Sequence, residues 1–92
     1  MATYLMFGKY SGSAVTAISA KRTEEAAALI KANDGTLKAG YALLGEIDLV
    51  LVVDLPDTEH VMKTSAALNQ LLGISFSTAP AVSVEDFDKL MG

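Results

Sequence analysis

Tyr41, Asp48 and His60 are the side chains of this sequence best equipped for chemistry. The imidazole of His60 titrates close to neutral pH, which suits general acid–base work. The carboxylate of Asp48 follows a tight turn at the start of an expected strand, where it could serve as an acid or base at the end of a sheet. Together with the phenol of Tyr41, these groups would give the polar lining of a cavity holding a small, mostly apolar ligand. Each also has a plainer reading. An aspartate after a glycine turn can cap the backbone N–H groups of its loop, and that is the favoured role for Asp48. A lone histidine in the first turn of a helix usually faces solvent. Packing alone accounts for Tyr4, Tyr10 and Tyr41, provided each buried hydroxyl finds a partner.

Other constellations are missing. Asp54, Asp57 and His60 are three apart but straddle a strand end, a proline and a helix start. They share no helical ligand face and show no zinc spacing, so neither a metal nor a cofactor is expected. The glycines stand singly and read as turns, caps or close approaches rather than a phosphate loop. No serine sits in a nucleophile elbow. The absence of cysteine removes thiol nucleophiles and disulfides. A net charge of -4 and a pI near 4.7 argue against nucleic acid and anionic membrane surfaces as partners, since both call for a basic face.

Half of the chain, 51%, is hydrophobic, yet the longest apolar run, Leu49 to Val53, is only strand length. A bilayer span needs roughly 18 such residues or more. The opening MATYLMFGKYSG lacks the basic and long apolar regions of a signal peptide, so a cytoplasmic location is expected. The 92 residues fit one domain, 1–92.

Periodicity supplies the elements that must hold these groups. Thr3 to Tyr10 reads as a strand with Tyr4, Met6 and Tyr10 on one face and Leu5 and Phe7 on the other. Ala14 to Ile18 is ambiguous, with one helical turn as an option. Ser19 caps a helix expected to reach Ala32 and to stop at Asn33-Asp34-Gly35. Its inner side carries Ile18, Arg22, Ala26, Leu29 and Ile30, where Arg22 must snorkel outward or pair with an acid. A hairpin follows from Thr36 to Pro56, turning at Gly45-Glu46-Ile47. Its first strand alternates, with Leu37, Ala39, Tyr41 and Leu43 on one face; Gly40 inside it marks a bulge or a tight contact. Its second strand sets Leu49, Leu51, Val53 and Leu55 against Val50 and Val52. Asp57 caps a helix whose inner stripe is Val61, Leu68 and Leu72, joined by Met62 and Leu71, and Gly73 ends it. A last strand runs from Ile74 to about Val82, with Pro80 implying a bulge or an edge. Ser83 caps a short helix from Val84 to Met91.

The order βαββαβ with right-handed crossovers gives a ferredoxin-like α+β fold: a four-stranded antiparallel sheet, two helices on one face, and a short C-terminal helix. One helical layer leaves the other sheet face uncovered. Because that face is also apolar, pairing of two sheets into a dimeric α+β barrel is the simplest closure.

Leu44-Gly45-Glu46-Ile47-Asp48, the strand Leu49 to Val53 and then Asp54-Leu55-Pro56-Asp57 resemble the signature of the GYD-domain family of small prokaryotic proteins. Ala2-Thr3-Tyr4, Ser19-Ala20-Lys21-Arg22, Phe76-Ser77-Thr78-Ala79 and Glu85-Asp86-Phe87 extend the likeness over most of the chain. Two positions depart from it. Ile47 stands where the family has its tyrosine, and Ala20 stands where it has a proline. The resemblance implies the dimeric α+β barrel fold and a homo-oligomer, and it implies no particular reaction.

The first functional reading is therefore a homo-oligomeric binding or structural module that encloses a small apolar or aromatic molecule. The alternative is a cofactor-independent isomerase or monooxygenase of the dimeric-barrel kind, which needs a polar cluster inside a real cavity. A trimeric regulator of the PII or ACT type comes third, since no loop of the required length separates the second and third strands.

Overall fold

The computed structural model describes residues 1–92 and places four strands and four helices along the chain. In order these are β1 (Ala2–Tyr10), α1 (Gly12–Thr16), α2 (Ala20–Ala32), β2 (Thr36–Ala42), β3 (Leu49–Leu55), α3 (Thr58–Leu72), β4 (Ile74–Ala81) and α4 (Val84–Met91). The strands form one antiparallel sheet in the order β2-β3-β1-β4. That order is the ferredoxin-like arrangement expected from the hairpin and its two crossovers. Pro80 lies on β4, an edge strand, where a missing N–H is tolerated.

Helices α2 and α3 cover one face of the sheet. Tyr4, Met6, Leu51, Val53, Leu55 and Ile74 point toward them and meet Ala26, Ile30, Val61, Leu68 and Leu72. Met6, Ile30, Val53, Leu55 and Leu68 are fully buried, each stabilising the fold by about 1.5–3 kcal/mol. The stripe on α3 is narrower than the sequence suggests. Met62 and Leu71 are 67% and 52% exposed, while Thr64 is fully buried among the apolar residues. The spacing 61, 64, 68, 72 follows one helical face, and 62 and 71 fall off its two sides.

Polar side chains fix the helix starts. Ser19, Asp57 and Ser83 accept hydrogen bonds from the N–H groups of Arg22, His60 and Asp86 at 3.2, 2.9 and 3.0 Å. Helix α2 ends at the expected place by a different device. Asp34, not glycine, takes the left-handed conformation, with φ 65. The Gly35 N–H then reaches Ile30 O, and the Asp34 N–H reaches Lys31 O, both at 3.0 Å. Gly35 is needed for space: a Cβ there would collide with Leu55 Cδ2 and lie 2.7 Å from Asp54 O. The ambiguous segment after β1 resolves into the separate turn α1, capped by Ser11 and tied to the end of α3 by a 2.9 Å bond from Ser11 N–H to Gly73 O.

One irregularity redirects β2. Leu37 pairs with Val53, but Ala39 pairs with Val52, so Lys38 is an extra residue bulged out of the ladder. Beyond the bulge the alternation changes phase. Ala39 and Tyr41 stand opposite Val52 and Val50 on the uncovered face, and Gly40 and Ala42 stand opposite Leu51 and Leu49 on the helix side. The expected common face of Leu37, Ala39, Tyr41 and Leu43 is thus broken after its first member.

The uncovered face carries Leu5, Phe7, Val50 and Val52 at its centre, all half-buried by their neighbours on the sheet. At its β2 edge, Thr3 Oγ1 donates to Asp54 Oδ1 at 2.7 Å and Lys38 Nζ lies 3.7 Å from Asp54 Oδ2. No residue of α4 is buried, and its Val84, Phe87, Leu90 and Met91 are all more than half exposed. The molecule is only 19 Å across its thinnest direction, one sheet plus one helical layer.

Candidate functional site

The phase change in β2 has a direct consequence for the space beneath the helices. Gly40 and Ala42 present almost no side chain to the layer where Tyr41 and Leu43 would otherwise project. The volume they leave is a cavity of about 360 Å³ between α1, α2 and the β2 end of the sheet, within the range of natural small-molecule pockets. Leu51, Leu68, Leu72, Ile74 and Ala26 belong to the buried core and form its floor. Ala14, Ile18, Leu37, Gly40, Ala42 and Leu49 complete its sides. Of 17 lining residues, 13 are hydrophobic, so water in the cavity has few partners and an apolar guest would displace it at little cost.

Its polar contribution comes from Tyr10, Arg22, Ser19 and Thr23. The Ser19 hydroxyl already accepts from the Arg22 N–H. Arg22 lies on the inner side of α2, and its Nη2 donates to the Leu72 carbonyl at the end of α3. This carbonyl is one of the last four of the helix, which lack intrahelical partners. Arg22 therefore neither pairs with an acid nor escapes fully to solvent; it staples the start of α2 to the end of α3 while lining the cavity. Its interruption of an apolar helical stripe was the sequence signal for this role.

Tyr41, Asp48 and His60 are not gathered in one place. Tyr41 is on the uncovered sheet face, 60% exposed, and only borders the cavity. Asp48 lies at the neighbouring end of the sheet. Its Oδ2 accepts from Tyr10 N–H at 3.0 Å, and its own N–H donates to Gly8 O at 3.0 Å. Asp48 thereby holds the end of β1 from which Tyr10 projects, so its link to the cavity is one of position. It caps a neighbouring strand rather than its own turn.

His60 sits past the opposite end of β3. Six strand steps from Leu49 to Leu55 separate the two ends, about 20 Å. There the imidazole Nδ1 lies 2.6 Å from Asp57 Oδ1, and Nε2 lies 3.5 Å from Asp34 Oδ2. The hydrogen bond to Asp57, helped by the charges of Asp57 and Asp34, raises the His60 pKa above its ordinary 6.5. The same side-chain bond, with the His60 N–H, lowers the Asp57 pKa. This cluster clips the α2–β2 turn to the start of α3, far from the cavity. The chain contains no group of three or more histidine, cysteine or carboxylate residues arranged to hold a metal, and no helix is long and apolar enough to cross a membrane.

Comparison with known proteins agrees with this architecture. The GYD domain family model matches residues 4–91. Among solved structures, the crystal structure of the Mycobacterium tuberculosis leucine response regulatory protein is similar over 90% of this chain, with a TM-score of 0.59 and 8% sequence identity. The aligned chain spans 51% of that protein, about half its length, and the likeness is one of fold. No curated protein matches the sequence.

Proposed function

The chain belongs to the GYD domain family, and from that premise we propose that it is a homo-oligomeric module holding a small apolar or aromatic molecule between its helices and its sheet. The observation that carries the reading is the cavity of about 360 Å³, opened by Gly40 and Ala42 and floored by core residues. Its mouth lies at the exposed residues Ile18, Ser19, Gly40, Tyr41 and Ala42, through which a guest can enter, and covering its apolar floor would remove that surface from water. Native mass spectrometry of freshly purified protein tests it directly. A co-purified small molecule supports the reading; a bare chain that also shows no cavity-centred NMR shifts with naphthalene-type probes overturns it.

The homo-oligomer rests on two surfaces that the chain does not cover itself. Leu5, Phe7, Val50 and Val52 form an apolar centre on the free sheet face, and α4 turns Val84, Phe87, Leu90 and Met91 to solvent. Face-to-face pairing of two sheets, as in a dimeric α+β barrel, covers the first and brings a partner within reach of the second. Size exclusion with light scattering should report a dimer or a multiple of it. A stable monomer at micromolar concentration would remove the association argument.

The enzyme alternative, an isomerase or monooxygenase without cofactor, would have to draw on the cavity's own polar groups, Tyr10 and Arg22. The lining holds no carboxylate and no histidine to act as a general base, and the one imidazole lies at the other end of the sheet. The binding reading therefore has the better support.

A further inference from the structure

Resting on that binding reading, we infer that the cavity takes an anionic guest: an apolar or aromatic body carrying one carboxylate, with Arg22 as the group that receives it. Three observations combine. Arg22 lines the cavity and is partly buried, so an ion pair made there would be less weakened by water than one at the surface. Its guanidinium offers five N–H donors, of which Nη2 is engaged by the Leu72 carbonyl. That bond orients the planar fork and leaves its remaining donors to meet a carboxylate, which a guanidinium binds in two-point fashion. No aspartate or glutamate of the chain lies within 4.0 Å of it, and the four charge pairs all involve other cations.

The second polar group, Tyr10, lies on the same lining and can donate its phenolic O–H to the same carboxylate, its backbone held in place by Asp48. The rest of the wall is apolar and matches the body of the guest, not its charge. The preference also runs against the long-range field. With a net charge of -4, the molecule as a whole favours cations over anions, so selection of an anion can come only from a local group.

Three probes of one shape decide the matter: 2-naphthoate, neutral 2-naphthalenemethanol and cationic 2-naphthylmethylammonium, titrated by calorimetry and by NMR with the whole chain. In the wild type the expected order is anion, then neutral, then cation, the first two differing by about tenfold or more. R22Q should bring the anion and the neutral probe to similar affinity and leave the neutral one within about twofold, while R22K keeps part of the preference. Equal binding of anion and neutral probe in the wild type, or a preference that survives R22Q, overturns the anionic assignment while leaving the apolar cavity intact. Failure of all three probes to shift residues such as Gly40 and Ala26 removes the cavity reading itself, and this inference with it. The wild-type order is decisive even if R22Q loses the staple to Leu72 and unfolds.

Discussion

At the scale of single residues, the buried exceptions are the most informative. Thr64 is fully buried on α3, and its hydroxyl has no hydrogen-bond partner. The desolvation of that group is uncompensated, so T64V should raise stability by about 1–2 kcal/mol, read as a higher urea midpoint at unchanged slope. Charge on the surface works differently. The His60 pKa is raised, so the stabilisation from its contact with Asp57 is complete below about pH 6.5 and fades as pH rises through the shifted value. An NMR titration should place the His60 midpoint above 6.5 and show D57N moving it back toward that value, with Asp34 still acting on the ring. The melting-temperature gap between wild type and D57N should be wider at about pH 6 than at about pH 9, because Asn keeps the cap but loses the charge. Sequence spacing recovered the caps Ser19, Asp57 and Ser83 because each is a local rule three residues long. It could not recover the partner of Arg22, a carbonyl 50 residues away.

At the scale of elements, the strands and both long helices were legible from alternation and from helical stripes. One extra residue was not. Nothing in the composition of Thr36 to Ala42 tells Lys38 from its neighbours, and only Gly40 hinted at an irregular strand. The bulge reverses which side chains face the helices, so Tyr41 is moved to the cavity's border and Gly40 and Ala42 form its wall. The bulge thus accounts for the place of Tyr41 and for the space, while His60 is kept away by the length of β3, at whose far end it sits. If those two small residues make the space, a larger one should remove it. A42L is expected to raise stability by about 1 kcal/mol through added apolar contact and to lower 2-naphthoate affinity by at least about tenfold. Urea denaturation and calorimetry read the two effects separately, and unchanged binding would show that the guest sits elsewhere.

At the scale of the whole molecule, thickness sets behaviour. A slab 19 Å thick has one buried layer and one apolar surface without cover. Association at that surface should be sensitive to a charge at its centre and insensitive to one on the helical side. V52D, opposite both Leu5 and Ala39, should shift the light-scattering mass to that of the monomer while leaving the far-UV circular dichroism unchanged. The bulge at Lys38 has a last consequence, for crowding rather than for binding. Both outer strands of the sheet are spoiled for lateral growth, β4 by Pro80 and β2 by an ejected lysine that bends its rim. Chains can therefore meet across their faces but not rim to rim. Deleting Lys38 would keep Leu37, Gly40 and Ala42 facing inward and straighten that rim. Such a variant should fold normally and yet pair rim to rim through β2, read by light scattering as a doubling of the natural chain's mass, while Pro80 still blocks growth at the β4 edge.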